Sequence, residues 1–279
     1  MKPRTFQRVN AVIILIFLVL ISLFTLYPLV YVVSGAFSPG SSIASLSILP
    51  FGDGITMEHF RYLFQNTDYL LWYRNTLVIA VLSSAGTVIA ASLGAYVFSR
   101  FRFALKKGMM MALLILQIFP SFIGMIAIYV ILLRIGGIDT LWGLVLVYVA
   151  GNIPYNVWLV KSYLDTIPRS LDEAARIDGA GHFRVFYSIV MPVAKPILTF
   201  LTISSFTTPW LDFIFPKMVL RSSEKQTLAL GLFSLVTDKK NLFTTFAAGA
   251  LLVAIPFIVF FALTQKMLIT SLGGAAVKE

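Results

Sequence analysis

The stretch Asn75–Ser99, NTLVIAVLSSAGTVIAASLGAYVFS, contains no charged residue, and it exceeds the roughly 20 apolar residues that a helix needs to cross the hydrocarbon core of a bilayer. No water reaches that core, so the backbone amides must bond to one another, which a single segment achieves only as a helix. Five further segments read the same way, approximately Ala11–Val33, Gly108–Leu133, Thr140–Val160, Pro196–Pro216 and Leu242–Gln265. Only the fifth of the six contains a charge, at Asp212. Composition agrees. Of 279 residues, 58% are hydrophobic and 12% charged, against about half and about one quarter in a soluble domain. A soluble globule is excluded, and the reading is an all-α polytopic membrane protein with six transmembrane helices.

The net charge of +10 does not point to nucleic acid, because Lys and Arg are scattered among short loops instead of gathered on one face. With the amino terminus inside, 14 of the 22 fall in inner segments, so the positive-inside bias places both termini in the cytoplasm. Lys2, Arg4 and Arg8 precede an apolar run too long for a cleavable signal, which marks it as a retained anchor. Absence of cysteine excludes disulfides and thiolate metal sites, two histidines are too few for an all-histidine site, and no metal is expected.

Between the first two spans, Ser34–Gly54 is rich in Ser, Gly and Pro, and TMEHFRYLFQN reads as a short extracytoplasmic helix capped by Thr56. Gly86, Ala90 and Gly94 recur four apart, a small-residue face that allows close helix approach either within this chain or to another subunit.

The loop DTIPRSLDEAARIDGAGHFRVFYSIVMPVAKP, residues 165–196, is longer than a connection needs to be. Ser170 and Glu173 stand in capping-box spacing, which predicts a helix starting there. Asp178 and Gly179 should stop it, since glycine accepts the left-handed conformation that closes a helix, and a second helix can start near Gly181. The outcome is a helix, a glycine turn and a helix, with Ala174 and Ala175 leaving backbone accessible. It suits either a plug for a partner's groove or an interfacial helix lying on lipid.

Within the spans, Asn152 and Asn156 share a helix face near Pro154 and can line a cavity or bond between helices. Tyr148, Tyr155 and Trp158 can stack on sugar rings or simply pack and anchor. Asp212 is a candidate for the translocation path, or an interfacial residue that reaches water or pairs with Lys217. His59 and His182 read as loop residues, which leaves an intramembrane hydrolase without a nucleophile and base in reach.

EAARIDGA from Glu173, followed by Ile189, Met191, Pro192 and Pro196, resembles the EAA loop of permease subunits of binding-protein-dependent ABC importers. RNTLVIA from Arg74, AYVFSRFRF from Ala95, GGIDTLWGLVLVY from Gly136, WLDFIFP from Trp210, QTLALGL from Gln226 and the tail GGAAVKE are similar to the carbohydrate-uptake branch, most of all its maltose/maltodextrin-type permeases. The likeness covers essentially the whole chain. Departures are Leu211, where the branch commonly has Asn, and Ser271 and Ala275, where it often has Gly.

The resemblance implies a type I ABC importer permease fold with a cytoplasmic coupling helix, in a bacterial cytoplasmic membrane. Residues 1–72 would form an anchor span and extracytoplasmic segment, 73–270 the permease core with its coupling loop at 164–195, and 271–279 a cytoplasmic tail. Glu173, Ala174, Ala175, Asp178, Gly179 and Gly181 would contact a separate ATPase, and so would Ala276, Val277 and Lys278 in the tail. The implied partners are a second homologous permease in a heterodimer, two copies of a cytoplasmic ATPase, an extracytoplasmic sugar-binding protein and membrane lipid. This chain has no Gly-x-x-x-x-Gly-Lys-Ser/Thr phosphate loop, so no catalytic residue and no bound cofactor are expected, with ATP and Mg used by the ATPase. The competing reading is an ion-coupled secondary transporter, which usually needs ionisable groups or broken helices at the membrane midplane.

Overall fold

The computed structural model describes residues 3–118, 121–237 and 241–276, with no strand among them. Thirteen α-helical segments follow one another: α1 (Pro3–Phe37), α2 (Glu58–Asn66), α3 (Tyr69–Arg100), α4 (Lys106–Ile118), α5 (Ser121–Arg134), α6 (Leu141–Thr166), α7 (Ser170–Ile177), α8 (His182–Arg184), α9 (Met191–Val193), α10 (Lys195–Leu211), α11 (Ile214–Val219), α12 (Leu228–Thr237) and α13 (Phe243–Ala276). A π-helical segment, Val185–Val190, joins α8 to α9.

Among the described residues, four helical stretches are long and apolar enough to cross a membrane alone: Asn10–Phe37, Tyr69–Arg100, Leu141–Thr166 and Phe243–Ala262. The other two expected spans are broken, and six is reached by counting each broken pair as one. The third is α4 and α5, which flank Phe119 and Pro120, outside the described residues. At the fifth, the arm His182–Val193, which comes from the preceding loop, meets α10 at 82°, so the bend lies just before the expected start at Pro196. Pro192 and Pro196 lie on either side of the bend at Ala194, and each lacks the N–H that would continue the helical ladder. α10 also ends at Leu211 instead of running to Pro216. Asp212 is extended there, and its Oδ1 accepts the Phe215 N–H at 3.3 Å, opening α11.

The chain divides into two compact units, Met1–Tyr69 with Leu232–Ile255, and Leu70–Gly231 with Pro256–Glu279. In the first, Ala36, Ala247 and Ala248 are buried against Phe37, Phe60 and Leu251. The apolar body of α1, Ala11 to Val30, is exposed all round, as a surface meant for lipid or another helix is. Two local expectations are corrected here. Met57, not Thr56, occupies the cap position of α2 without a side-chain cap, although the Thr56 hydroxyl still accepts the Glu58 N–H at 3.2 Å. His59 is no loop residue: it lies buried in α2, with Nε2 2.9 Å from the Ser38 carbonyl and Nδ1 3.3 Å from the Thr244 hydroxyl. A carbonyl can only accept, so Nε2 carries the proton and the ring braces the segment after α1 against the start of α13.

In the second unit the small-residue face of α3 is used within the chain. A Cβ on Gly86 would sit 2.8 Å from Val149 Cγ2 and one on Gly94 3.2 Å from Val157 Cγ2. Glycine therefore sets the approach of α3 to α6. One core of this unit joins Ala91, Ala95, Tyr96 and Phe98 of α3 to Val157, Val160 and Leu164 of α6 and to Val185, Val190 and Leu201. This core underlies the loop that carries most of the candidate residues.

Candidate functional site

The loop folds as the helix, glycine turn and helix expected, but its first helix starts differently. Ser170 is already the first residue of α7, and Arg169 holds the cap position without a side-chain cap bond. The Glu173 N–H bonds to the Arg169 carbonyl at 3.0 Å, so the backbone does what the capping box was expected to do. Glu173 is left exposed. The other end of α7 follows the sequence rule. Gly179 has φ +82°, its N–H bonds to Arg176 O at 3.0 Å, and the Ala180 N–H reaches back to Ala175 O at 2.9 Å. These two bonds make a Schellman closure, which satisfies carbonyls that a helix end leaves free. Gly181 is the cap of α8.

The candidate residues are thereby gathered on one projecting knob. Glu173, Ala174, Asp178, Gly179 and Gly181 are exposed, while Ala175 is half-buried and packs on the core beneath. Three apolar residues escaped the sequence reading. Ile177, Phe183 and Tyr187 are 88%, 76% and 71% exposed, and the available signal was apolar residues inside an otherwise polar segment. His182 opens α8 and is not a free loop residue: its Nδ1 lies 3.0 Å from Arg176 Nη2, and its ring is tilted 42° against that of Phe101 with centroids 4.9 Å apart. A guanidinium can only donate, so Nδ1 accepts.

The sequence reading also missed what anchors the knob. Asp172 is the one buried residue of α7. Its Oδ2 lies 2.7 Å from Arg100 Nε, with the two side chains 6% and 3% exposed. The guanidinium also donates to the carbonyls of Leu164 at 3.0 Å and Ile167 at 3.2 Å, the C-terminal end of α6. A cation at the end of α6 and a carboxylate in the first turn of α7 each complement the local helix dipole. Alongside, Ser99 Oγ donates to Asp165 Oδ1 at 2.6 Å, Lys161 pairs with Asp165 Oδ2 at 2.5 Å, and Arg169 Nη2 donates to Ser99 O at 3.0 Å. Removing one member of a buried ion pair strands the other charge, at about 3–5 kcal/mol.

The residues suggested for a path through the membrane do not all converge. Asn152 and Asp212 line one cleft with Tyr148, Thr208 and Phe215. Asp212 Oδ2 accepts the Tyr148 hydroxyl at 2.9 Å, so its partners are Tyr148 and the Phe215 amide instead of Lys217. Asn156 is buried and spends its amide on the Asn152 carbonyl at 2.7 Å within α6. Tyr155 is 52% exposed and does not line this cleft, and Trp158 donates to Met110 O at 3.0 Å, a packing bond. In the tail Ala276 ends α13, while Val277 and Lys278 lie outside the described residues.

Residues 85–270, which include the knob, both broken spans and the cleft, match the family model of the binding-protein-dependent transport system inner membrane component. The chain belongs to this family. It is thus a multi-pass membrane permease component of an ABC importer system. The permease is 41% identical to the maltodextrin transport system permease protein MdxG of Bacillus subtilis (strain 168), over the full length of both. It is 38% identical to the galactooligosaccharides transport system permease protein GanQ of the same organism, over 100% of this chain and 98% of that one. Its fold matches a bacterial ABC transporter involved in the import of the acidic polysaccharide alginate, with TM-score 0.78 and 25% identity over 94% of this permease and 96% of that chain.

Proposed function

We propose that this permease carries an oligosaccharide of the maltodextrin type into the cell by ATP-driven alternating access, with α7 docked in a groove of a separate ATPase. The observation that supports this most directly is the Schellman-closed knob, which holds Glu173, Ala174 and Asp178 outward in a segment matching the EAA motif. The 41% identity to a maltodextrin permease along the whole chain supports the substrate class. The knob and both termini then face the cytoplasm. Two ATPase subunits, which use ATP and Mg, a second permease and an extracytoplasmic sugar-binding protein complete the assembly. ATP binding favours one arrangement of the permease pair over the other, and that differential affinity drives the shift between inward- and outward-facing states. Nothing chemical happens on this chain; Glu173 supplies charge to the ATPase groove and Gly179 the turn that lets both arms of the knob fit. Asn152 and Asp212, which line the cleft, face the sugar path in this reading.

The test is purification of the complex from membranes with measurement of sugar uptake and ATP hydrolysis together. Hydrolysis should rise with maltodextrin and binding protein, and Glu173→Ala should keep membrane insertion while uncoupling hydrolysis from uptake. Normal transport by that variant would reject the docking role. Uptake that survives ATP depletion but collapses with the ion gradient would replace the whole reading by ion coupling.

A further inference from the structure

We propose that the Arg100–Asp172 pair is the joint through which displacement of α7 reaches the membrane-spanning helices α3 and α6. This rests on the docking reading of α7, and adds to it the residues that pass the load on.

Every other residue of α7 is exposed or half-buried, so Asp172 is its one buried side chain and, beside the half-buried Ala175, the polar point at which this helix enters the interior. The group it meets is not on a neighbouring loop but at the end of a span: Arg100 is the last residue of α3. The same guanidinium holds the Leu164 and Ile167 carbonyls at the end of α6. One planar cation thus touches three elements, α3 by covalent attachment, α6 by two donors and α7 by charge. Arginine suits this because its donors lie in a rigid fork and its charge cannot be titrated away. The low exposure of both side chains means that water cannot substitute for either partner during a movement. A push on the exposed knob is therefore not absorbed by slippage between α7 and the spans. Neither Asp172 Oδ1 nor Arg100 Nε has a hydrogen-bond partner among the described residues, so the carboxylate is held by charge and position instead of by a saturated bond network. Arg100 and Asp172 touch neither sugar nor nucleotide; they are positioning residues.

The experiment uses the complete complex in proteoliposomes, with the ratio of sugar imported to ATP hydrolysed measured per mole of assembled complex. Asp172→Asn keeps the shape of the side chain and removes its charge. The expected result is normal co-purification of the ATPase and hydrolysis that continues, with the ratio lowered about tenfold. A residue needed only for folding would lower assembly, uptake and hydrolysis together and leave the ratio alone, so an unchanged ratio overturns the proposal. If Asp172→Asn does not assemble, the double variant Arg100→Met/Asp172→Leu is read instead, because it leaves no unpaired charge in the interior. Assembled but uncoupled, it supports the joint. Assembled and coupled, or again unassembled, it overturns it. Glu173→Ala in parallel separates the two ideas: if it uncouples while Asp172→Asn does not, docking stands and the joint falls; if neither uncouples, docking falls with it.

Discussion

Gly179 offers the sharpest test of whether the knob works through its shape. It sits at φ +82°, and a Cβ placed on it would meet nothing within 4 Å. The Cβ of a substitution there meets none of the described residues, so the cost that all substitutions share is that of holding an L-residue in the left-handed region. That cost is about 1–2 kcal/mol for a residue such as Ala, less for Asn, whose short polar side chain visits this region, and more for Val, a β-branched outlier there. One or two kcal/mol is a factor of roughly 5–30 in the population of the closed turn relative to an opened one. The substitutions Gly179→Asn, Gly179→Ala and Gly179→Val should therefore lose coupling in that order. The assay is the sugar-to-ATP ratio of the purified complex in proteoliposomes, with maltodextrin and binding protein supplied. The order of side-chain size is different, with Ala smallest, so the Asn and Ala variants decide. Coupling kept by Ala and lost by Asn would mean that the ATPase surface rejects bulk at this position, and the argument from backbone conformation would be refuted.

Two further predictions address the scaffold. Gly86→Ala should lower the thermal stability of the detergent-solubilised protein by about 1–3 kcal/mol through overpacking, because the new methyl would lie 2.8 Å from Val149 Cγ2; adding Val149→Ala should return part of the loss, and equal loss in both would show that α3 and α6 do not meet there. Asp139, between α5 and α6, is held well below the usual carboxylate range, first by the Ser222 hydroxyl, then by the Ser222 and Arg221 amides and by Lys225. A depressed folded-state value stabilises fully at neutral pH, and this contribution shrinks once the pH falls below the unfolded value of about 3.9. Asp139→Asn should lower the melting temperature at pH 7 and narrow its gap to the parent protein as the medium becomes acidic, and a gap independent of pH would contradict it.

Much of the knob was legible in the sequence because its decisive signals are local. Gly179 closes α7 by a conformation only glycine takes cheaply, and Gly181 precedes the second helix, each judged from neighbours within one turn. The capping box failed for the same kind of reason turned around. Ser170 and Glu173 have the right spacing, but spacing does not say which residue starts the helix, and Arg169 took the cap position. The five charge-free spans announced themselves because the cost of burying charge in lipid is paid residue by residue. Where a span breaks is another matter, since Pro154 lies inside an unbroken α6 while Pro192 and Pro196 flank a bend of 82°.

Hydropathy and glycine placement thus determined that this chain spans a membrane and carries a turned knob between its fourth and fifth spans, because both depend on short stretches of backbone and their solvent. The packing of the helices was needed to show that the small face of α3 serves α6, that Tyr148 holds Asp212 from 64 residues away, and that Arg100 meets Asp172. Those pairings are set by which helix ends come together, and an ion pair formed across distant positions leaves no periodic trace in the sequence.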